Sequence, residues 1–419
     1  MQTAVTITET GAAVCALCIF LGALTPAGVA LINTGFGRSR SAAHALLNAL
    51  CAFAAAVLVY LVVGFSLQSY AGGPAHAITI GGRAWNLIGS ERLFLLGVKF
   101  DGSMNVVALI ACLQLLSVGL SAVIPLGTGA DRWKLGASTI SAALFAAITY
   151  PVLAHWVWGG GWLAQCGALD AGGAGVVQAT GGLRALAITW ILGPRQGKYE
   201  THGMAIPGHN MAMVLFGCGV ALTGFLGLDA AGAMLFAGAT VSSLPLVAIN
   251  LLASSSAAVL TAMAVTRMRY AKPDASICAN GFLAGLVAIS GACSLVPPAA
   301  AIAIGFVAGL LLPLAVEWLD RLGFDDPSGA ISVHGLGGIW GVLAVGIFVS
   351  RPGQWLAQLA VVSVLLGFSL PLSYGLNLLL NRIHPQRISS DGERLGLDMS
   401  ELGAGAYPEL SASIKDQYR

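Results

Sequence analysis

Charge is scarce in this sequence: charged residues make up 9% of 419, against 57% hydrophobic residues and a mean hydropathy of +0.83. A soluble domain of that length needs far more charge to cover its surface, so the composition excludes an ordinary cytosolic globule. The net charge of +2, without any basic run or basic–aromatic interleaving, leaves no footprint for nucleic acid. A basic leader is missing as well. Met1-Gln2-Thr3 runs to Glu9 before the first apolar stretch, so no cleaved signal is expected and the first helix is retained. No nucleophile–base pair is legible, and Gly159-Gly160-Gly161 lacks the Lys-Ser/Thr of a phosphate loop. Neither catalytic residues nor a cofactor are therefore expected. His334 has no second ligand at metal spacing. Cys15 and Cys18 have C-x-x-C spacing but lie in a membrane-length run without a second pair, which reads as packing.

What is present is a series of apolar runs, each near the roughly 20 residues needed to cross a bilayer. They fall at 12–33, 43–66, 103–126, 134–155, 174–193, 208–228, 232–266, 276–292, 297–318, 333–350 and 354–380. The 55 glycines suit close helix packing. With the N-terminus outside, the inner loops hold Arg38, Arg40, Arg132, Lys134, Arg195, Lys198, Arg267, Arg269, Lys272 and Arg321. The outer loops hold only Arg83, Arg92, Lys99 and Arg351. This bias places the C-terminus in the cytoplasm. Residues 1–381 read as one all-α membrane domain of eleven helices, and 382–419 as a polar cytosolic tail suited to a partner or to disorder. Segment 67–102 reads as an outer loop. Five helices per half would allow a 5+5 inverted repeat followed by a last helix. Asp325-Asp326 are expected to face water in a loop or to cap the tenth helix.

Several segments resemble the ammonium transporter (Amt/Mep/Rh) family: Ala154-His155-Trp156-Val157-Trp158 with Gly159-Gly160-Gly161, Gly167-Ala168-Leu169-Asp170, Gly285-Leu286-Val287-Ala288-Ile289, Ser332-Val333-His334-Gly335 and Gly396-Leu397-Asp398. The resemblance runs from about residue 12 to 407 and implies an eleven-helix protomer, a homotrimer in membrane lipid, and a narrow pore in each protomer. It also implies an outer site that recruits ammonium by cation–π contact, a gate of two phenyl rings, two pore histidines, and docking of a PII-type cytosolic regulator. On this correspondence Trp158 is the recruiting tryptophan, Asp170 the structural aspartate and His334 the second pore histidine. Gln178 stands at the first pore histidine, eight residues after Asp170. Ser117 and Leu228 stand at the gate phenylalanines, Gly232 at the recruiting serine and Asp229 at an asparagine, while Gln114 matches a family glutamine.

A glutamine can hydrogen-bond to ammonia, water or an amine but cannot carry a proton near neutral pH. Arg184, near the middle of the fifth run, is a second departure, since a charge there costs about 2.5–3.5 kcal/mol on insertion scales. It is either an interface residue or a cation beside the pore. Three functions stay open: a channel or transporter for ammonium, ammonia or a small amine; the same scaffold turned to another small polar or anionic solute; and a non-transporting sensor or membrane partner protein signalling through its tail.

Overall fold

In the computed structural model, which describes residues 7–100, 105–199 and 206–407, apolar runs become helices where local caps start them. Thr8, Asn105, Asn210 and Asp274 each accept backbone N–H bonds in the first turn that follows, and a helix begins at each. In chain order the helices are α1 (Glu9–Phe36), α2 (Ser39–Gln68), α3 (Val106–Leu126), α4 (Leu135–Gln165), α5 (Ala174–Leu192), α6 (Met211–Phe236), α7 (Val241–Tyr270), α8 (Ala275–Ser290), α9 (Pro298–Arg321), α10 (Ile331–Phe348) and α11 (Gln354–Ile383). Ten of these are long and apolar enough to cross a membrane; α8, with 16 residues, is shorter. Glycine sets the closest helix crossings. A Cβ on Gly28 of α1 would lie 2.4 Å from Ala221 N of α6, and one on Gly305 of α9 would lie 2.0 Å from Ser254 O of α7.

The sequence reading ended the sixth run at 228 and opened the seventh at 232. The structure corrects this: α6 continues unbroken through Asp229 and Gly232 to Phe236. The stop comes at Gly238, whose φ of +70° suits glycine, and Thr240 and Ser243 then cap one another to start the next turn. The all-α expectation also gains one exception. Within segment 67–102, β1 (Ala75–Ile80) pairs antiparallel with β2 (Arg83–Gly89) across Gly81-Gly82, both at positive φ. Trp156 Nε1 donates to Leu87 O and so ties this hairpin to α4.

The tail folds back against the opposite end of the bundle. Asp398 accepts from Ala43 N and His44 N at the start of α2, and Glu401 meets His44 Nε2 at 2.8 Å and accepts from Leu135 N. Arg387 donates to Leu192 O and pairs with Glu393. The described part of the tail is thus docked rather than disordered; residues 408–419 lie outside the described residues.

Beneath the tail lies a buried ion-pair cluster. Asp325 accepts from Arg195 Nε at 2.8 Å and Nη2 at 3.0 Å, Arg132 Nη1 lies 3.7 Å from it, and Arg195 also reaches Asp131 at 3.2 Å. The expectation of a solvated Asp325 is therefore overturned, because two arginines from neighbouring loops enclose it. Burial alone would raise its carboxyl, but hydrogen bonds from Arg195 and the charges of Arg132 and Arg195 outweigh burial and hold it at about 2, below the ordinary 3.8. A carboxyl held down in the folded state lends stability that is fully present above pH 3.8 and is lost as the pH falls through about 2. The melting temperature of the purified protein should fall across that window, and Asp325→Asn should lower it at neutral pH while flattening the acid dependence. A thermal-shift series against pH checks both.

A candidate pore site between α5 and α10

Both α5 and α10 open in a wide turn, Ala174–Ala179 and Ile331–Leu336, where hydrogen bonds reach five residues back. Each turn is held by a carboxylate eight residues ahead of a polar side chain: Asp170 before Gln178, and Asp326 before His334. Asp170 accepts from Gly173 N at 3.0 Å and from Gly175 N and Val176 N at 2.9 Å. Asp326 accepts from Ala330 N at 3.1 Å, Ile331 N at 2.7 Å and Thr128 Oγ1 at 2.6 Å. A carboxylate at this place satisfies the N–H groups that a helix start leaves unpaired.

The two helices enter from opposite ends and meet at glycine. A Cβ on Gly182 would lie 2.0 Å from Gly335 N, so the backbones touch. That contact brings Gln178 and His334 together, with His334 Nδ1 2.7 Å from Gln178 Oε1 and both side chains buried. The amide oxygen can only accept, so Nδ1 carries the hydrogen and Nε2 keeps a lone pair. Gln178 Nε2 has no hydrogen-bond partner among the described residues. The pair therefore offers a free donor and a free acceptor, the complement of ammonia or water.

The remaining candidates are placed as follows. Tyr150 donates its hydroxyl to Gln114 Oε1 at 2.6 Å, and Ser117 Oγ donates to Leu113 O at 2.9 Å; both polar residues are buried. Leu228 packs on Gly22 of α1. A Cβ on Gly232 would lie 2.5 Å from Ala171 O, so any side chain there would displace the loop before α5. Asp229 is buried beside Gly172, and neither of its oxygens has a hydrogen-bond partner among the described residues. Trp158 Nε1 donates to Asp170 O at 2.7 Å. Arg184 is not brought to the Gln178–His334 pair. It turns to α3 and α4, donates to Ser141 Oγ at 2.9 Å and Ala122 O at 3.3 Å, and lies 5.0 Å from the Phe145 ring.

Phe236 was missed from sequence, whereas Asp326 takes the cap of the tenth helix, one of the two roles expected for it. Phe236 stacks on Trp158 with centroids 4.4 Å apart and planes 9° apart. Ending the sixth run too early hid its place at the end of α6. What went unread for Asp326 is the interval: the eight residues from Asp170 to Gln178 recur from Asp326 to His334.

A bundle of long apolar helices enclosing an amide–imidazole pair defines a multi-pass membrane protein with a polar site at its core. The chain matches the sequence profile of the Ammonium Transporter Family over residues 13–407. The ammonium transporter Amt2 of Archaeoglobus fulgidus is 34% identical, over 94% of this chain and 87% of that protein. The ammonium transporter of Bacillus subtilis is 29% identical, over 94% and 97%. A solved structure described as "Sensor Amt Protein" superposes with a TM-score of 0.85 at 28% identity, covering 93% of this chain and 98% of that one. Candida albicans Mep2, at 22% identity, shares the fold with a TM-score of 0.80 over 92% of this chain and 87% of that one. The chain belongs to the ammonium transporter family.

Proposed function

We propose that the protein moves ammonium across the membrane as ammonia, with or without the accompanying proton, past the Gln178–His334 pair. The observation that carries this reading is the 2.7 Å contact between them, which leaves His334 Nε2 free to accept and Gln178 Nε2 free to donate. Ammonium is costly to strip of water in an apolar passage, whereas neutral ammonia needs only one acceptor and one donor. Trp158 is the first contact for the cation. Gln114, Ser117 and Leu228 line the approach, Gly232 and Asp229 flank it, and Asp170 fixes the turn that carries Gln178.

On this reading α8 is an eleventh crossing, since 16 residues span about 24 Å of helix. The matched pairs Asp170–Gln178 and Asp326–His334, on helices that start at opposite ends, support an inverted repeat. The basic residues gathered at the tail end support a cytoplasmic tail and an outer hairpin. Family membership supports a homotrimer and a PII-type regulator docking on the tail face.

The test is methylammonium and ammonium uptake into proteoliposomes. Wild type should exceed empty liposomes, and His334→Ala, which removes the free acceptor, should cut uptake by about tenfold. Wild-type liposomes no more permeable than empty ones would remove the transport reading. Ammonium binding without flux would instead assign the same pair to sensing.

A further inference from the structure

Trp158 closes the hairpin end of α4, and its position is fixed. Its Nε1 is tied to Asp170 O at 2.7 Å, and Asp170 holds the turn of α5 that carries Gln178. A Cβ on Gly173 would lie 3.2 Å from Trp158 Cη2, so one edge of the ring abuts the first residue before that turn. Among side chains, a fixed indole face is the best surface for a small cation. Here the face is covered. The Phe236 ring lies nearly parallel on it, 4.4 Å between centroids, and Trp158 is left 5% exposed.

The covering residue stands at the very end of its helix. Phe236 is the last residue of α6 and is half-buried, so it is the outer layer of the stack. One turn earlier α6 is pinned, because Gly232 sits against Ala171 O with no room for a Cβ. Just after Phe236 the chain leaves the helix through Gly238, at φ +70° and with open space where its Cβ would be. The end of α6 therefore has a fixed base and a glycine C-cap, closed by Ala239 N donating to Ala233 O at 3.0 Å, and from it the Phe236 ring lies on the indole as a side chain free to change rotamer toward the open end.

We propose that Phe236 is a shutter over Trp158: its phenyl ring swings off the indole, and a small monovalent ammonium-type cation takes its place on the exposed face before it loses its proton or its water. This rests on the reading that the Gln178–His334 pair lies on the transport route. A cation must compete with the phenyl ring for the same face, so the stack lowers apparent affinity by its own strength.

The experiment compares wild type, Phe236→Ala and Phe236→Tyr by two readouts. The first is hydroxyl-radical footprinting of Trp158, followed by mass spectrometry. The second is methylammonium uptake into proteoliposomes against concentration. Phe236→Ala should raise Trp158 oxidation several-fold without changing Trp133, buried at the other end, and lower half-saturating methylammonium by about 2- to 10-fold, the worth of one aromatic stack. Phe236→Tyr, which keeps a ring over the indole, should give less than half of either change. Unchanged Trp158 oxidation in Phe236→Ala overturns the proposal. So does increased oxidation with no gain in affinity, which would make Phe236 plain packing. Failure of the transport reading looks different, with wild type and both variants equally impermeable. Methylammonium binding by calorimetry then decides: tighter binding by Phe236→Ala upholds the shutter, and no gain overturns it.

Discussion

Replacing Gln178 by histidine is expected to raise the current evoked by an ammonium pulse about tenfold or more relative to the ammonium taken up. The argument follows from the chemistry of the pair. Gln178 Oε1 meets His334 Nδ1 at 2.7 Å, so the imidazole has its Nδ1 hydrogen committed to an atom that cannot pass it on. A proton arriving at His334 Nε2 has no titratable neighbour in that direction. An imidazole in place of the amide would lie within hydrogen-bond reach of the same nitrogen, and two rings that each accept and release a proton near neutral pH form a relay. Paired recordings of current and labelled uptake in proteoliposomes check this, with His334→Gln as the converse. His334→Gln should abolish whatever current the wild type has and leave less uptake than Gln178→His. Equal current per molecule taken up in wild type and Gln178→His would mean that charge crosses by a path that ignores this pair.

Much of the fold could be read from sequence because a bilayer imposes one strong rule: apolar runs of about 20 residues become helices whose backbone groups satisfy one another. Ten such helices stand close to where the runs lie. The misplaced boundary between α6 and α7 shows where the rule is weak. Asp229 looks like a break in an apolar run, yet packing against Gly172 and the end of α8 keeps it inside the helix, and the stop is set by the backbone conformation at Gly238. Hydropathy reports neither. The docked tail was hidden for a related reason. Its polar residues look solvated, but Asp398 and Glu401 find partners at the starts of α2 and α4, more than 250 residues away in sequence. At the site, residue types and spacing suggested Gln178 and His334. That they touch depends on the Gly182–Gly335 crossing and on the turn that Asp170 holds, and neither is visible in residue spacing. Arg184 shows the limit of counting positions along a helix. Its place on α5 allowed a pore cation, whereas Ser141, the Ala122 carbonyl and the Phe145 ring hold it on the side facing α3 and α4.

The largest loss of stability is expected from Asp170→Ala. One carboxylate accepts three backbone N–H bonds at the start of α5, all buried, and its own carbonyl receives the Trp158 indole. Hydrogen bonds to a charged group contribute about 1.5–3 kcal/mol each, and they do not simply add because they share one side chain. Removing the carboxylate also leaves three buried N–H groups without their acceptor. A total of about 3–5 kcal/mol is expected, enough to cut the yield of folded protein sharply and lower its melting temperature by many degrees. Asp170→Asn separates stability from function. The amide keeps one oxygen acceptor and turns the other position into a donor facing N–H groups, so either the Gly173 bond or the Gly175 and Val176 bonds must be lost. The latter hold the wide turn on which Gln178 sits. Asp170→Asn should therefore fold in useful amounts yet lose most of its ammonium uptake, because Gln178 shifts relative to His334. An Asp170→Ala protein melting within about 2 °C of wild type would mean that the turn is held by helix packing alone. In that case the contact between Gln178 and His334 would owe its geometry to the Gly182–Gly335 crossing and not to the carboxylate.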